Sequence, residues 1–238
     1  MFPTVTTILF DLDGTLRHNE PTGFETFIAY LTELGCVLTP AQTAHAERWM
    51  HYYWSIAPEM KTDIEELGAD TPEFWRRHAQ RQVAAFELND ARGQTLADQV
   101  NQLFIERYRP LNRVAADVRP TLEGLRAAGY TVGLVSNRSQ PLGPIAAEIG
   151  LADLFHVTLA AGEIGSFKPD PQIFLKAVDL AGCAPAQAAY VGDNFYADIE
   201  GARGAGLQPV LIDPRGLFPD PGCPVLTTIG DLAGLLGL

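Results

Sequence analysis

Val5-Thr6-Thr7-Ile8-Leu9-Phe10 is a short, branched, largely apolar run that breaks directly into Asp11-Leu12-Asp13-Gly14-Thr15. A run of this length and branching reads as a buried strand of an α/β sheet. Its end delivers two carboxylates to the sheet edge, where open α/β sheets bind ligands. On the two-residue strand period Asp11 and Asp13 share a face, and Gly14 lets the chain turn away directly after them. Two carboxylates this close repel unless a cation or a proton intervenes. Taken alone, the segment also fits an ordinary Asp-Gly turn closing a strand.

Three later segments weigh against that plain turn. Thr131 to Val135 is a second apolar strand and ends in Ser136-Asn137. Phe167-Lys168-Pro169-Asp170-Pro171 presents a lysine where Pro169 disfavours helix, with a helix expected just beyond, Asp170 as its N-cap and Pro171 at its first position. Ala188 to Val191 is a further strand that runs into Gly192-Asp193-Asn194, with Asp198 five residues after Asp193. Between these lie helices at Arg119 to Ala128 and Pro141 to Ile149, strands at His156 to Leu159 and Leu207 to Ile212, a short edge strand at Val225 to Thr228 and a last helix at Asp231 to Leu236. This alternation predicts an α/β fold: a Rossmann-like parallel sheet with helices on both faces.

Residues 17–113 differ in character. Phe24, Phe27, Ile28, Leu31 and Leu34 follow helical spacing up to Gly35. Thr39-Pro40 opens a helix expected to reach Trp54, Thr71-Pro72 opens another to about Leu88, and one more runs from Thr95 to Tyr108. The chain therefore divides into a core of residues 1–16 and 114–238 and an all-helical insertion, 17–113. All three tryptophans, Trp49, Trp54 and Trp75, lie in the insertion with Arg48, Arg76, Arg77 and Arg81, either as a recognition surface or as helix packing and a solvated face. Arg17 follows the first motif closely enough to touch a substrate or to make a surface ion pair.

In order along the chain, Asp11-Leu12-Asp13-Gly14-Thr15, Ser136-Asn137, Lys168-Pro169 and Gly192-Asp193 with Asp198 resemble the four motifs of the haloacid dehalogenase superfamily. The residue types suit the chemistry this implies. A carboxylate, here Asp11, can attack phosphorus and split one difficult hydrolysis into two easier steps through an aspartyl phosphate. Asp13 is placed to protonate the leaving alcohol and then to take a proton from water. Asp193 and Asp198 add two further acids, so an incoming phosphate requires a hard dication with oxygen ligands, which points to Mg2+. Lys168 supplies a fixed positive charge, and the Ser136 hydroxyl with backbone N–H groups can hold phosphoryl oxygens. The resemblance implies that Asp11, Asp193 and the main-chain carbonyl of Asp13 hold the metal, with Asn194 and Asp198 in support, and that the helical insertion is a cap that excludes water and chooses the substrate. Thr15, Ser136, Asn137 and Arg17 are the expected substrate contacts.

The expected function is a magnesium-dependent phosphatase acting on a small phosphorylated metabolite. A phosphomutase, a 2-haloacid dehalogenase and a non-catalytic binding or regulatory protein of the same fold are the alternatives. The dehalogenases lack the second acid of the first motif, so Asp13 favours phosphate chemistry. The sequence of 238 residues carries 29 acidic and 17 basic side chains, a net charge of −12, with no basic tract for nucleic acid. Met1-Phe2-Pro3-Thr4 leads into the first strand without a basic or cleavable apolar segment, and no apolar stretch reaches membrane-spanning length, so the expected location is cytoplasmic, without a membrane partner. Cys36, Cys183 and Cys223 fit neither a disulfide framework nor a zinc site. Oligomeric state leaves no mark on the sequence.

Overall fold

The computed structural model describes residues 4–88 and 91–238. The reading of the first three residues therefore lies outside the described residues. The chain forms two compact units, one up to His18 and again from Arg113 to Leu238, the other Asn19–Asn112.

In the first unit, β1 (Thr7–Phe10) is flanked by two later strands. The two connections to the second unit each contain a short strand, β2 (His18–Glu20) and β3 (Leu111–Arg113), and these pair with each other. The remainder of the first unit runs α6 (Val118–Ala127), β4 (Thr131–Ser136), α7 (Gly143–Glu148), β5 (Val157–Ala160), α8 (Ala161–Ile164), α9 (Pro171–Ala181), β6 (Ala188–Gly192), α10 (Gly201–Gly204), β7 (Gln208–Ile212), β8 (Val225–Leu226) and α11 (Asp231–Leu236). The six-stranded sheet has the order β5-β4-β1-β6-β7-β8 and is parallel throughout.

Strand alternation divides the core into two layers. Ile8 and Phe10 of β1 join Leu134, Val191, Leu122 and Leu125 on one face, whereas Leu9 joins Val135, Tyr190, Ile173 and Phe174 on the other. Because both faces are covered, all four β1 residues are buried, which explains the continuous apolar run. The chain moves outward from β1 to β4 and β5, then returns to place β6 on the opposite side, so the strand order reverses beside β1. Such a reversal opens a crevice at the carboxyl ends of the strands. Phe10 is level with Leu134 and Val191, which brings the ends of β4, β1 and β6 side by side.

The second unit contains α1 (Gly23–Glu33), α2 (Pro40–Tyr53), α3 (Pro58–Leu67), α4 (Pro72–Ala85) and α5 (Ala91–Arg107). Phe24, Phe27, Leu31, Val83, Phe86, Leu96 and Val100 share one cluster, and Tyr53, Met60 and Phe74 a second. The sequence reading differs from this in several places. Helix α3 went unread, α5 starts at Ala91 rather than Thr95, and β2 and β3 interrupt a stretch expected to be wholly helical. Arg17, His18 and Arg113 group with the first unit, not with the helical insertion. No helix among the described residues is long and apolar enough to cross a membrane.

Candidate active site

Strand β1 stops at Phe10, and the Asp11 N–H donates to the Val191 carbonyl (2.9 Å), which extends the ladder by one residue. The chain then turns: Leu16 and Arg17 N–H groups both donate to the Leu12 carbonyl, and the Gly14 N–H donates to the Arg17 carbonyl. This turn corrects the expectation that Asp11 and Asp13 share a strand face. Asp11 is buried and its carboxylate meets Lys168, whereas the Asp13 side chain is 40% exposed and meets two arginines.

Lys168 is at the centre of the buried group. Its Nζ donates to Asp11 Oδ1 (2.6 Å), Asp198 Oδ1 (2.7 Å) and the Tyr190 hydroxyl (3.0 Å), which in turn donates to the Val135 carbonyl (2.9 Å). All three ammonium protons are thereby committed. Tyr190, on β6, is fully buried and went unread as a site residue; among apolar strand residues its only signal was a hydroxyl needing a buried partner.

The loop carrying Lys168 is held by Asn137. Its Nδ2 donates to the Lys168 carbonyl (3.0 Å) and its Oδ1 accepts from the Lys168 N–H (2.6 Å). Asn137, expected to touch substrate, fixes the lysine backbone. Thr15, also an expected substrate contact, donates its hydroxyl to Asp193 Oδ1 (3.1 Å). Ser136 is buried at the end of β4, two positions past Leu134, which pairs with Phe10 of β1.

Asn194 caps the helical turn Phe195–Glu200 by accepting from the N–H groups of Tyr196 (3.1 Å) and Ala197 (3.0 Å). Asp198 lies in this turn, yet its side chain folds back: Oδ2 accepts from the Asn194 N–H (2.9 Å) while Oδ1 accepts from Lys168. It is buried and interior, not a solvent-facing acid at a helix start.

Oxygens of Asp11, Asp193 and Asp198 lie within 4.8 Å of one another. Three ionised carboxylates against one ammonium leave two negative charges uncompensated. Burial pushes the Asp11 carboxyl up to about 7, with Asp198 and Asp13 adding to the rise against the pull of Lys168. Burial and the charge of Asp11 likewise push Asp193 up to about 7. Burial raises Asp198 as well. Burial alone would lower Lys168, but Asp11 and Asp198 hold it well above its ordinary range. An all-oxygen donor set with a deficit of two charges fits a hard divalent cation. Both Asp198 oxygens already accept hydrogen bonds, so Asp11 and Asp193 would be the stronger ligands for such a cation.

Asp13 forms a separate cluster. Arg17 Nη2 donates to its Oδ1, and Arg138 binds it in a fork, Nε to Oδ2 (2.7 Å) and Nη2 to Oδ1 (3.2 Å). Arg138, next to Asn137 on the loop after β4, was absent from the sequence reading, because nothing local ties it to an acid 125 positions away.

Residues 5–206 match the family of haloacid dehalogenase-like hydrolases. The chain is 28% identical over 207 residues to the phosphoglycolate phosphatase of Pseudomonas putida, covering 85% of this chain and 67% of that protein. It is 48% identical over 84 residues to the phosphoserine phosphatase of Thermus thermophilus, covering 35% of this chain and 33% of that one. The matched stretches thus span from a third to two thirds of these relatives' lengths. Among solved structures, the 2-haloacid dehalogenase of Pseudomonas syringae pv. Tomato superposes with a TM-score of 0.54 at 25% identity over 98% of both chains. With a family match that spans most of its length and the four motif segments gathered at one sheet edge, the chain belongs to the haloacid dehalogenase-like hydrolases.

Proposed function

We propose that the protein is a magnesium-dependent phosphatase that moves the phosphoryl group of a small phosphorylated metabolite first to Asp11 and then to water. The observation that carries this reading is the buried group in which Asp11 and Asp198 share Lys168 while Asp193 stands close by, two positive charges short of balance. The phosphatases among its relatives support the same reaction class.

Asp11 attacks phosphorus through a carboxylate oxygen, and the bond to the leaving oxygen breaks as Asp13 gives that oxygen a proton. Water then attacks the acyl phosphate and passes a proton to Asp13, and Asp11 leaves as a carboxylate. Lys168, fixed through Asn137 and Tyr190, orients Asp11 and opposes the rise that burial gives its carboxyl, and Ser136, at the end of β4, would receive a phosphoryl oxygen. Magnesium, held by Asp11 and Asp193 with the Asp13 main-chain carbonyl, would supply charge neutralisation and alignment of the phosphoryl group. The helical unit is proposed as the cap.

Release of inorganic phosphate from p-nitrophenyl phosphate tests this. Turnover is expected with magnesium and not after exhaustive chelation, and Asp11→Asn, which keeps shape and removes the nucleophile, is expected to lose more than about 99% of kcat with an unchanged circular dichroism spectrum. Full activity after chelation, or chloride release from 2-chloropropionate instead of phosphate release, would overturn the reading.

A further inference from the structure

We propose that Arg17 and Arg138 form a binding site for a second anionic group, carboxylate or phosphate, carried by the alcohol that leaves from phosphorus. This inference rests on the phosphatase reading, because it places the leaving alcohol next to Asp13.

The charge imbalance around Asp13 is opposite in sign to that of the buried cluster. Two guanidinium groups converge on the single carboxylate of Asp13, which leaves one net positive charge there in a chain of net charge −12. The cluster is also asymmetric in exposure. Asp13 and Arg138 side chains are 40% and 38% exposed, while Arg17 is only 9% exposed. The Arg17 Nε is buried without a hydrogen-bond partner, an uncommon state for a guanidinium N–H. A fork from Arg138 and a single Nη2 bond from Arg17 converge on one carboxylate, and the two guanidinium groups hold donor capacity beyond what Asp13 uses.

Both arginines are on fixed backbone. Arg17 closes the turn through its N–H to Leu12 and its carbonyl to Gly14. The Arg138 carbonyl accepts from the Gly162 N–H (3.0 Å), and a Cβ at Gly162 would lie 2.1 Å from the Ser139 carbonyl oxygen, so the loop fits only against a glycine there. A group that bonds to Asp13 lies beside whatever oxygen Asp13 protonates. A carboxylate or phosphate a few bonds along the alcohol thus meets the guanidinium groups, which match such anions bidentately. A guanidinium drawn to that anion also gives up its bond to Asp13 and frees a carboxylate oxygen to face the leaving oxygen.

The test is discrimination between substrates that differ only in the second charge: 2-phosphoglycolate against ethyl phosphate for a carboxylate, and 1,3-propanediol bisphosphate against propyl phosphate for a phosphate. Wild type is expected to favour the charged member of at least one pair by about a hundredfold in kcat/KM, and Arg138→Gln to shrink that ratio at least about tenfold, mainly through KM. Whichever pair shows the preference identifies the anion. Arg138→Lys, which keeps the charge and loses the fork, is expected to fall between, and stands in if the glutamine variant fails to fold. Equal kcat/KM within both pairs, or a loss that leaves the ratio intact, overturns the inference and spares the phosphatase reading. A wild type that hydrolyses no phosphate monoester overturns both.

Discussion

Two glycines show how tightly the carboxylates are set. Gly14 adopts φ +95°, and a Cβ there would lie 2.3 Å from an Asp193 oxygen; at Gly192 a Cβ would lie 2.3 Å from an Asp198 oxygen. The first position needs a glycine for its backbone and for space, the second for space alone. Either added methyl must push a carboxylate out of the group around Lys168. Gly14→Ala and Gly192→Ala are therefore expected to lower kcat by about a hundredfold each while the fold persists, since a displacement near 1 Å is enough to misalign reacting groups. Steady-state kinetics with circular dichroism checks this, and a kcat within about threefold of wild type would mean that the carboxylates have slack. At this scale the sequence announced residue types but not partners. Asp11, Asp193 and Lys168 were legible because strand ends and a Pro-restricted loop mark them. The Asn137 clamp and the Arg138 fork were not, because each depends on a contact with residues 31 or 125 positions away.

Among the elements, a threonine or aspartate cap ahead of a proline marked helix starts that the structure keeps. Thr39 and Thr71 cap α2 and α4 ahead of Pro40 and Pro72, and Asp170 caps α9 by accepting from the Gln172 N–H, all as the sequence suggests. Helix α3 follows Ala57, which offers no capping side chain, and β2 and β3 are short, polar and mostly exposed, so no periodicity marks them. The arginines of the helical unit are largely committed within it. Arg76 pairs with Asp98 (2.7 Å), Arg81 binds both oxygens of Asp63, and Arg77 reaches Asp63 and Glu66. Asp63 is fully buried and also accepts from the Tyr53 hydroxyl (3.0 Å), so this set supports helix packing more than recognition. His78 packs against Trp49, Tyr53, Trp54 and Trp75, and burial pushes it down to about 4 from 6.5. A base with a depressed folded pKa contributes stability that is whole above 6.5 and is lost as pH falls towards 4. Thermal melts between pH 7 and pH 4 are expected to show that loss, on the order of 3 kcal/mol, and His78→Phe, which cannot take up the proton, is expected to flatten it. An equally steep decline in the variant would place the acid sensitivity elsewhere.

Taken as a whole, the molecule joins two units with opposite responses to pH. In the helical unit acid is harmful, because His78 must charge inside an aromatic cluster. In the sheet unit the sign reverses. Asp11 and Asp193 have folded pKa values pushed up to about 7 from 3.8, so their contribution to stability is whole below 3.8 and is lost as pH rises through 7. Without a cation, rising pH accumulates negative charge around a single ammonium. A bound dication favours the ionised carboxylates and displaces their protons, so its affinity must rise over the same interval. Magnesium at about a hundred times its dissociation constant stabilises the folded state by about 2.7 kcal/mol. The rise in melting temperature on adding a fixed magnesium concentration is therefore expected to be small at pH 5 and large at pH 8, with Asp193→Asn removing most of it. Hydrogen exchange locates the effect: the added protection belongs at the ends of β1, β4 and β6, where the carboxylates and Lys168 meet. A magnesium shift of equal size at both pH values would show that the ion binds without displacing protons from Asp11 and Asp193, and the charge deficit of the buried group would then have to be met by another cation or by retained protons.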